Sequence, residues 1–163
     1  GASVVGLCGG YQMLGERLVD SVGVAGDAGD EPGLGLLPVV TEFQAPKIVR
    51  ETQATCGTDR WTAYEIHMGR THFAAPCDTL HEVSDSSGAR REGARRDRVF
   101  GTYLHGWFES PQLRAQIAAA AGLASHRAAP GLWADKRRAL YAQMANHVAA
   151  HVNLDAVRAY LGL

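Results

Sequence analysis

The chain has 163 residues, 46% of them hydrophobic, which suits one domain with a sizeable core. With 16 Lys and Arg against 17 Asp and Glu, the net charge is −1. No basic surface invites nucleic acid and no apolar run reaches bilayer-spanning length, so neither is an expected partner. Three widely spaced cysteines, Cys8, Cys56 and Cys77, argue against a disulfide framework or a CxxC zinc site and fit a cytoplasmic location.

In chain order, residues 4–7 read as a short buried strand and residues 9–19 as the helix that follows. Residues 21–35, rich in Gly, Asp and Pro, read as loop. Strands are predicted over residues 36–41, 47–53, 61–67 and 79–83, the second and third paired across the turn Cys56-Gly57-Thr58-Asp59. Residues 84–98 are polar and arginine-rich and read as solvated loop. Residues 99–104 form the last strand, ending at His105. Ser110-Pro111 caps a helix that Gly122 closes. A longer helix over residues 134–151 carries Leu140, Met144, Val148 and Val152 on one face, and Asn153 caps a final one. No linker divides the chain, which reads as mixed α/β with a helical tail.

The chemistry concentrates at Gly6-Leu7-Cys8-Gly9-Gly10. A strand, a sharp turn bearing a nucleophile and then a helix make a nucleophile elbow. Glycines on either side of the reactive residue leave room for a strained backbone. A thiol that attacks a carbonyl needs a base to take its proton and then protonate the leaving group. His105, at the end of an apolar strand beside Gly106, is the leading candidate; in a parallel sheet the strand ends meet, which would bring it to Cys8. His67 is a candidate for substrate contact. Alternation puts Glu65 and His67 on one face of their strand and Tyr64 and Ile66 on the other. His72, His81, His126, His147 and His151 have no comparable setting. The Gly9 N–H is the natural oxyanion donor, and the Gly9-Gly10 step admits a small substrate close to the backbone. Gln12, one helical turn on, is either an exposed helix residue or a donor into the same pocket.

Three long motifs occur in order: Cys8-Gly9-Gly10-Tyr11-Gln12-Met13-Leu14-Gly15, Tyr64-Glu65-Ile66-His67-Met68-Gly69-Arg70-Thr71, and Gly101-Thr102-Tyr103-Leu104-His105-Gly106-Trp107-Phe108. Together they resemble the class I glutamine amidotransferase domain at the carboxy end of cobyric acid synthases. Residues 32–38 and the tail around residues 147–154 are also similar. The resemblance implies a flavodoxin-like α/β glutaminase domain over residues 1–163 that lacks its first strands and helices. It implies that Cys8 attacks the side-chain amide of L-glutamine with His105 as base, and that Gly9, Gly10, Gln12 and His67 serve the oxyanion and the substrate. No metal or cofactor is expected in this domain. ATP and Mg²⁺ would bind an absent synthase domain, where the ammonia amidates carboxylates of adenosylcobyrinic acid a,c-diamide, a corrinoid. The glutaminase subunit of a lipid II amidating complex is the rival at the elbow, disfavoured by the Tyr64 to Thr71 motif, and a catalytically incompetent structural or binding module is the other alternative. Triad amidotransferases carry a glutamate two residues after the histidine, where this chain has Trp107, so a Cys8–His105 dyad is expected. Because the chain starts at the elbow strand, the loop that would supply the second oxyanion donor is expected to be missing, and the isolated chain to be a weak glutaminase at best.

Overall fold

The computed structural model describes residues 1–123 and 131–162; His126 lies outside them. The chain divides into two compact units, one within Gly1–Ala129 and one within Pro130–Leu163. The first carries every element of the candidate site.

Strand β1 (Val4–Leu7) runs into helix α1 (Gly9–Leu14), as the elbow requires. The helix stops five residues short of the expected end. Gly15 is extended and packed so closely on the Val39 carbonyl that a Cβ there would lie 2.7 Å from its oxygen. Glu16 N–H then donates to the same carbonyl at 2.8 Å, which draws the chain out of the helix and into β2 (Arg17–Asp20). The predicted loop that follows contains β3 (Gly29–Pro32), an exposed strand antiparallel to β2.

The expected hairpin is present but much longer: β4 (Val39–Cys56) pairs with β5 (Asp59–Phe73) from Cys56↔Asp59 to Val39↔Phe73, with one irregularity between Phe43 and Ile48. The strand expected over residues 36–41 begins only at Val39. Strand β6 (His81–Asp85) lies slightly later than predicted and pairs antiparallel with the far half of β4. The arginine-rich stretch read as loop is instead β7 (Gly88–Glu92) and β8 (Ala94–Arg96). The alternation hidden there is carried by Arg90, which pairs inward, and by the buried Glu92, polar residues that a hydrophobic pattern does not register. Glu65, 1% exposed, receives Arg50 Nε at 2.5 Å and Arg90 Nη2 at 2.7 Å. A buried carboxylate stripped of such partners would cost several kcal/mol, roughly 3–5.

Strand β9 (Val99–Thr102) pairs parallel with β1, Val4↔Val99 to Leu7↔Thr102, and antiparallel with β8. The two sheets therefore run β1-β9-β8 and β3-β2-β4-β6-β7, with β5 on β4. Tyr11 and Leu14 of α1 bury against Leu37, Val39, Ala94 and Tyr103. Tyr11 meets Tyr103 edge to face at 5.2 Å. A 3-10 turn (Trp107–Glu109) leads into α2 (Pro111–Ala120), where Ser110 caps as expected, its hydroxyl accepting from Leu113 N–H at 3.1 Å.

In the second unit, α3 (Trp133–His151) and α4 (Leu154–Leu161) form with the Asn153 cap in place. The predicted apolar face Leu140, Met144, Val148 and Val152 is exposed. His147 and His151 lie on the helix surface.

Candidate active site

Cys8 sits between β1 and α1 at φ 52, ψ −113. Among the described residues only Asp97 shares a positive φ without being glycine. An L-residue in this region stores strain, and strain of that kind clusters at functional turns. The two glycines beside it play different parts. A Cβ on Gly6 would lie 2.6 Å from the Gly10 carbonyl oxygen and 2.6 Å from Leu14 Cδ1, so the close packing of α1 on β1 demands glycine there. Gly10 faces open space, and Gly9 meets only Gln12 Oε1 at 4.0 Å. The expectation that both flanking glycines relieve crowding holds for Gly6 alone.

Cys8 N–H donates to Thr102 C=O at 2.9 Å, which ties the elbow to the carboxyl end of β9, three residues before His105. The free edge of β5 brings the two candidate residues together. Tyr64 exchanges both backbone hydrogen bonds with His105, at 3.2 and 2.9 Å. The Cys8 thiol donates to the carbonyl of Ile66 at 3.5 Å. Residues i and i+2 of a strand present their backbone groups to the same edge about 7 Å apart. Cys8 and His105 thus dock on adjacent stations of one strand edge.

The alternation on β5 is as expected, and its polar face is the buried one. Glu65 (1% exposed) and His67 (8%) point inward, whereas Tyr64 (48%) and Ile66 (41%) face outward. The Tyr64 ring lies parallel to the His105 imidazole, 4.7 Å between centroids and 7° between planes. His67 stacks on Tyr103 at 3.7 Å, and its Nδ1 donates to Gly69 C=O at 2.7 Å. Burial lowers its pKa, and its buried Nε2 has no partner among the described residues. Gln12 is buried too: its Nε2 donates to Tyr103 Oη at 3.2 Å, and that hydroxyl continues to Thr71 Oγ1 at 2.6 Å and Thr41 at 2.7 Å beyond. Gln12 is therefore not the exposed helix residue that was one of its two readings; its Oε1 lies on the Gly9 side.

Trp107 is 1% exposed and turns its indole N–H onto His81 Nε2. His81, which had no distinctive setting in the sequence, is buried beside Trp61 and Trp107, and its pKa falls to about 4 through desolvation. Sequence reasoning also passed over Glu92. Its carboxylate accepts from Thr102 Oγ1 at 2.6 Å and Tyr103 N–H at 2.7 Å, holding the chain as it leaves β9 towards His105. Desolvation raises its pKa to about 7. A carboxyl whose folded pKa lies above its unfolded value binds its proton more tightly when folded, so its stabilising effect is full below about pH 4.5 and is lost as pH rises through about 7. That difference is worth on the order of 3 kcal/mol. His67 and His81 act in the opposite sense, because their lowered pKa values cost stability as pH falls below the usual imidazole range. Because Glu92 offsets the two histidines in the wild type, the rise in urea midpoint from pH 5 to pH 8 is expected to be markedly larger in Glu92→Gln; equal shifts in both proteins would refute this reading.

Residues 1–113 match the CobB/CobQ-like glutamine amidotransferase domain. The chain belongs to that family. It is 38% identical over 159 residues to the cobyric acid synthase of Sphingopyxis alaskensis, covering 96% of this chain and 32% of that protein. Against the cobyric acid synthase of Roseiflexus castenholzii it is 43% identical over 122 residues, 69% of this chain and 25% of the relative. The chain thus spans a third or less of the curated relatives it matches. A crystal structure of a glutamine amidotransferase is similar at a TM-score of 0.45 and 18% identity, over 74% of this chain and 61% of that one, too loosely to bear on the site. The fold class is α/β, of the glutamine amidotransferase type read from the motifs. Among the described residues no helix is long and apolar enough to cross a membrane, and no group of three or more His, Cys, Asp or Glu could hold a metal.

Proposed function

We propose that this chain is the glutaminase part of a cobyric acid synthase, releasing ammonia from L-glutamine for ATP-dependent amidation of adenosylcobyrinic acid a,c-diamide carboxylates. The observation that carries this reading is the pairing of a strained Cys8 with His105 on one edge of β5. His105 takes the thiol proton as Cys8 Sγ attacks the δ-carbonyl carbon of glutamine. Gly9 N–H supports the oxyanion of the tetrahedral intermediate. The intermediate collapses by breaking the C–N bond, and His105 delivers the proton to the departing nitrogen, leaving a γ-glutamyl thioester and ammonia. Water then attacks the thioester with His105 again as base, giving glutamate and the free thiol. Gly10 leaves space beside the elbow for the substrate. Gln12 and the His67–Tyr103 pair shape its floor, with Gln12 Oε1 on the Gly9 side as an acceptor for the glutamine amide. ATP and Mg²⁺ belong with the synthase part of such an enzyme, and this sequence contains no Gly-x-x-x-x-Gly-Lys-[Ser/Thr] phosphate loop.

The test is covalent capture of Cys8 by a glutamine-analogue diazoketone, located by peptide mass mapping. Labelling at Cys8 that L-glutamine suppresses, and that Cys8→Ala and His105→Ala abolish or reduce at least 100-fold, is the expected result. Labelling that glutamine does not compete, or that persists in Cys8→Ala, would remove the glutaminase assignment.

A further inference from the structure

A histidine that shuttles a proton between a thiol and a leaving nitrogen must present its ring in one orientation, and a third group ordinarily sets it. In this chain the residue two positions after His105 is Trp107, whose indole is committed to His81 inside the buried aromatic cluster. The contact made by the His105 imidazole is of another kind. Tyr64 lies face to face with it, 7° from parallel at 4.7 Å, and the same two residues exchange both backbone hydrogen bonds. Backbone and ring contacts together fix the position of the His105 Cα and the plane of its side chain.

Building on the glutaminase reading, we propose that Tyr64 is the positioning residue for His105, its aromatic face orienting the imidazole beside Cys8. Three features of the fold support this. Tyr64 is half-exposed on a strand whose alternate residues are buried, so its ring contributes little to the core and is available to the site. Its station on β5 is two residues from the carbonyl that receives the Cys8 thiol, so one rigid strand sets the spacing of both reacting groups. When His105 takes the thiol proton, the new imidazolium faces the negative side of an aromatic ring within cation–π range. The phenol hydroxyl has no part in either effect, so phenylalanine is expected to substitute fully.

The test uses the full chain with Tyr64→Phe, Tyr64→Leu and Tyr64→Thr, the last supplying a strand-favouring β-branched residue should leucine lower the melting temperature. The first readout is the two-bond ¹H–¹⁵N spectrum of the histidine rings, with His105 assigned from His105→Ala. Its ring protons are expected upfield in the wild type and in Tyr64→Phe, and at the position of an unstacked histidine in Tyr64→Leu and Tyr64→Thr. The second is Cys8 labelling by the diazoketone. Its maximal rate is expected to fall about tenfold in Tyr64→Leu and Tyr64→Thr at unchanged half-saturation, and to stay within twofold of wild type in Tyr64→Phe. An unmoved His105 signal in Tyr64→Leu, or an unchanged maximal rate, overturns the role of Tyr64. Absence of glutamine-protected labelling in the wild type overturns the glutaminase reading instead, and the ring spectrum still decides the stacking.

Discussion

Cys8→Gly is expected to melt above the wild type while losing all covalent capture at the elbow. At φ 52, ψ −113, an L-residue is strained by roughly 1–3 kcal/mol, and glycine removes that strain. Glycine also gives the unfolded chain more freedom, which returns about 0.5–1 kcal/mol. The net gain is on the order of 1 kcal/mol, or about 2–4 °C for a domain of this size. Cys8→Ala is the comparison that isolates the backbone, since it loses the thiol and its bond to Ile66 C=O but keeps the Cβ and therefore the strain. Calorimetry should place Cys8→Gly above Cys8→Ala. If the two melt together, the elbow is not strained and the thiol is held there by something other than a locally costly turn.

Gly6→Val carries the second large effect, and it acts through packing. Its Cβ would enter the space of the Gly10 carbonyl and Leu14 Cδ1, both at 2.6 Å, and one of these is backbone that cannot rotate away. Relief requires α1 to lift from β1, which would unseat Tyr11 and Leu14 from the core and displace Cys8. Overpacking of this severity costs on the order of 3 kcal/mol or more. Thermal unfolding should shift down by roughly 6–12 °C and diazoketone labelling should be lost with it. Gly10→Ala, whose Cβ points into open space in a helix, is expected to leave stability unchanged or raise it by up to about 1 kcal/mol. Equal destabilisation by Gly6→Val and Gly10→Ala would contradict the packing described for the elbow.

These variants mark the boundary between what was legible and what was not. The pattern Gly6-x-Cys8-x-Gly10 announces an elbow, yet the two glycines look alike in it; only the seating of α1 on β1 shows which one is crowded. The motif from Tyr64 to Thr71 is conspicuous, and its alternation correctly separates Glu65 and His67 from Tyr64 and Ile66. Polarity alone would have sent the charged face to water. Arg50 and Arg90, distant in sequence, converge on Glu65 and make burial of that face affordable, which leaves Tyr64 outward to meet His105. The same pairing hides β7 within a stretch that reads as a solvated arginine loop.

By itself the sequence determined the features whose causes are local: the strand–Cys8–helix turn, the Ser110 and Asn153 caps, the hairpin turn near Gly57, and the order of motifs that marks the family. Each depends on residues within a few positions of one another, so spacing is enough to reveal it. The tertiary structure alone decided where α1 ends, which face of β5 is buried, and how Cys8 and His105 come to share one strand edge. Those outcomes rest on partners from tens of residues away, such as the Val39 carbonyl that receives Glu16 N–H and the Tyr64 backbone that pairs with His105. Long-range hydrogen bonding and charge pairing outweigh local propensity wherever the two conflict, and the candidate site lies where they do.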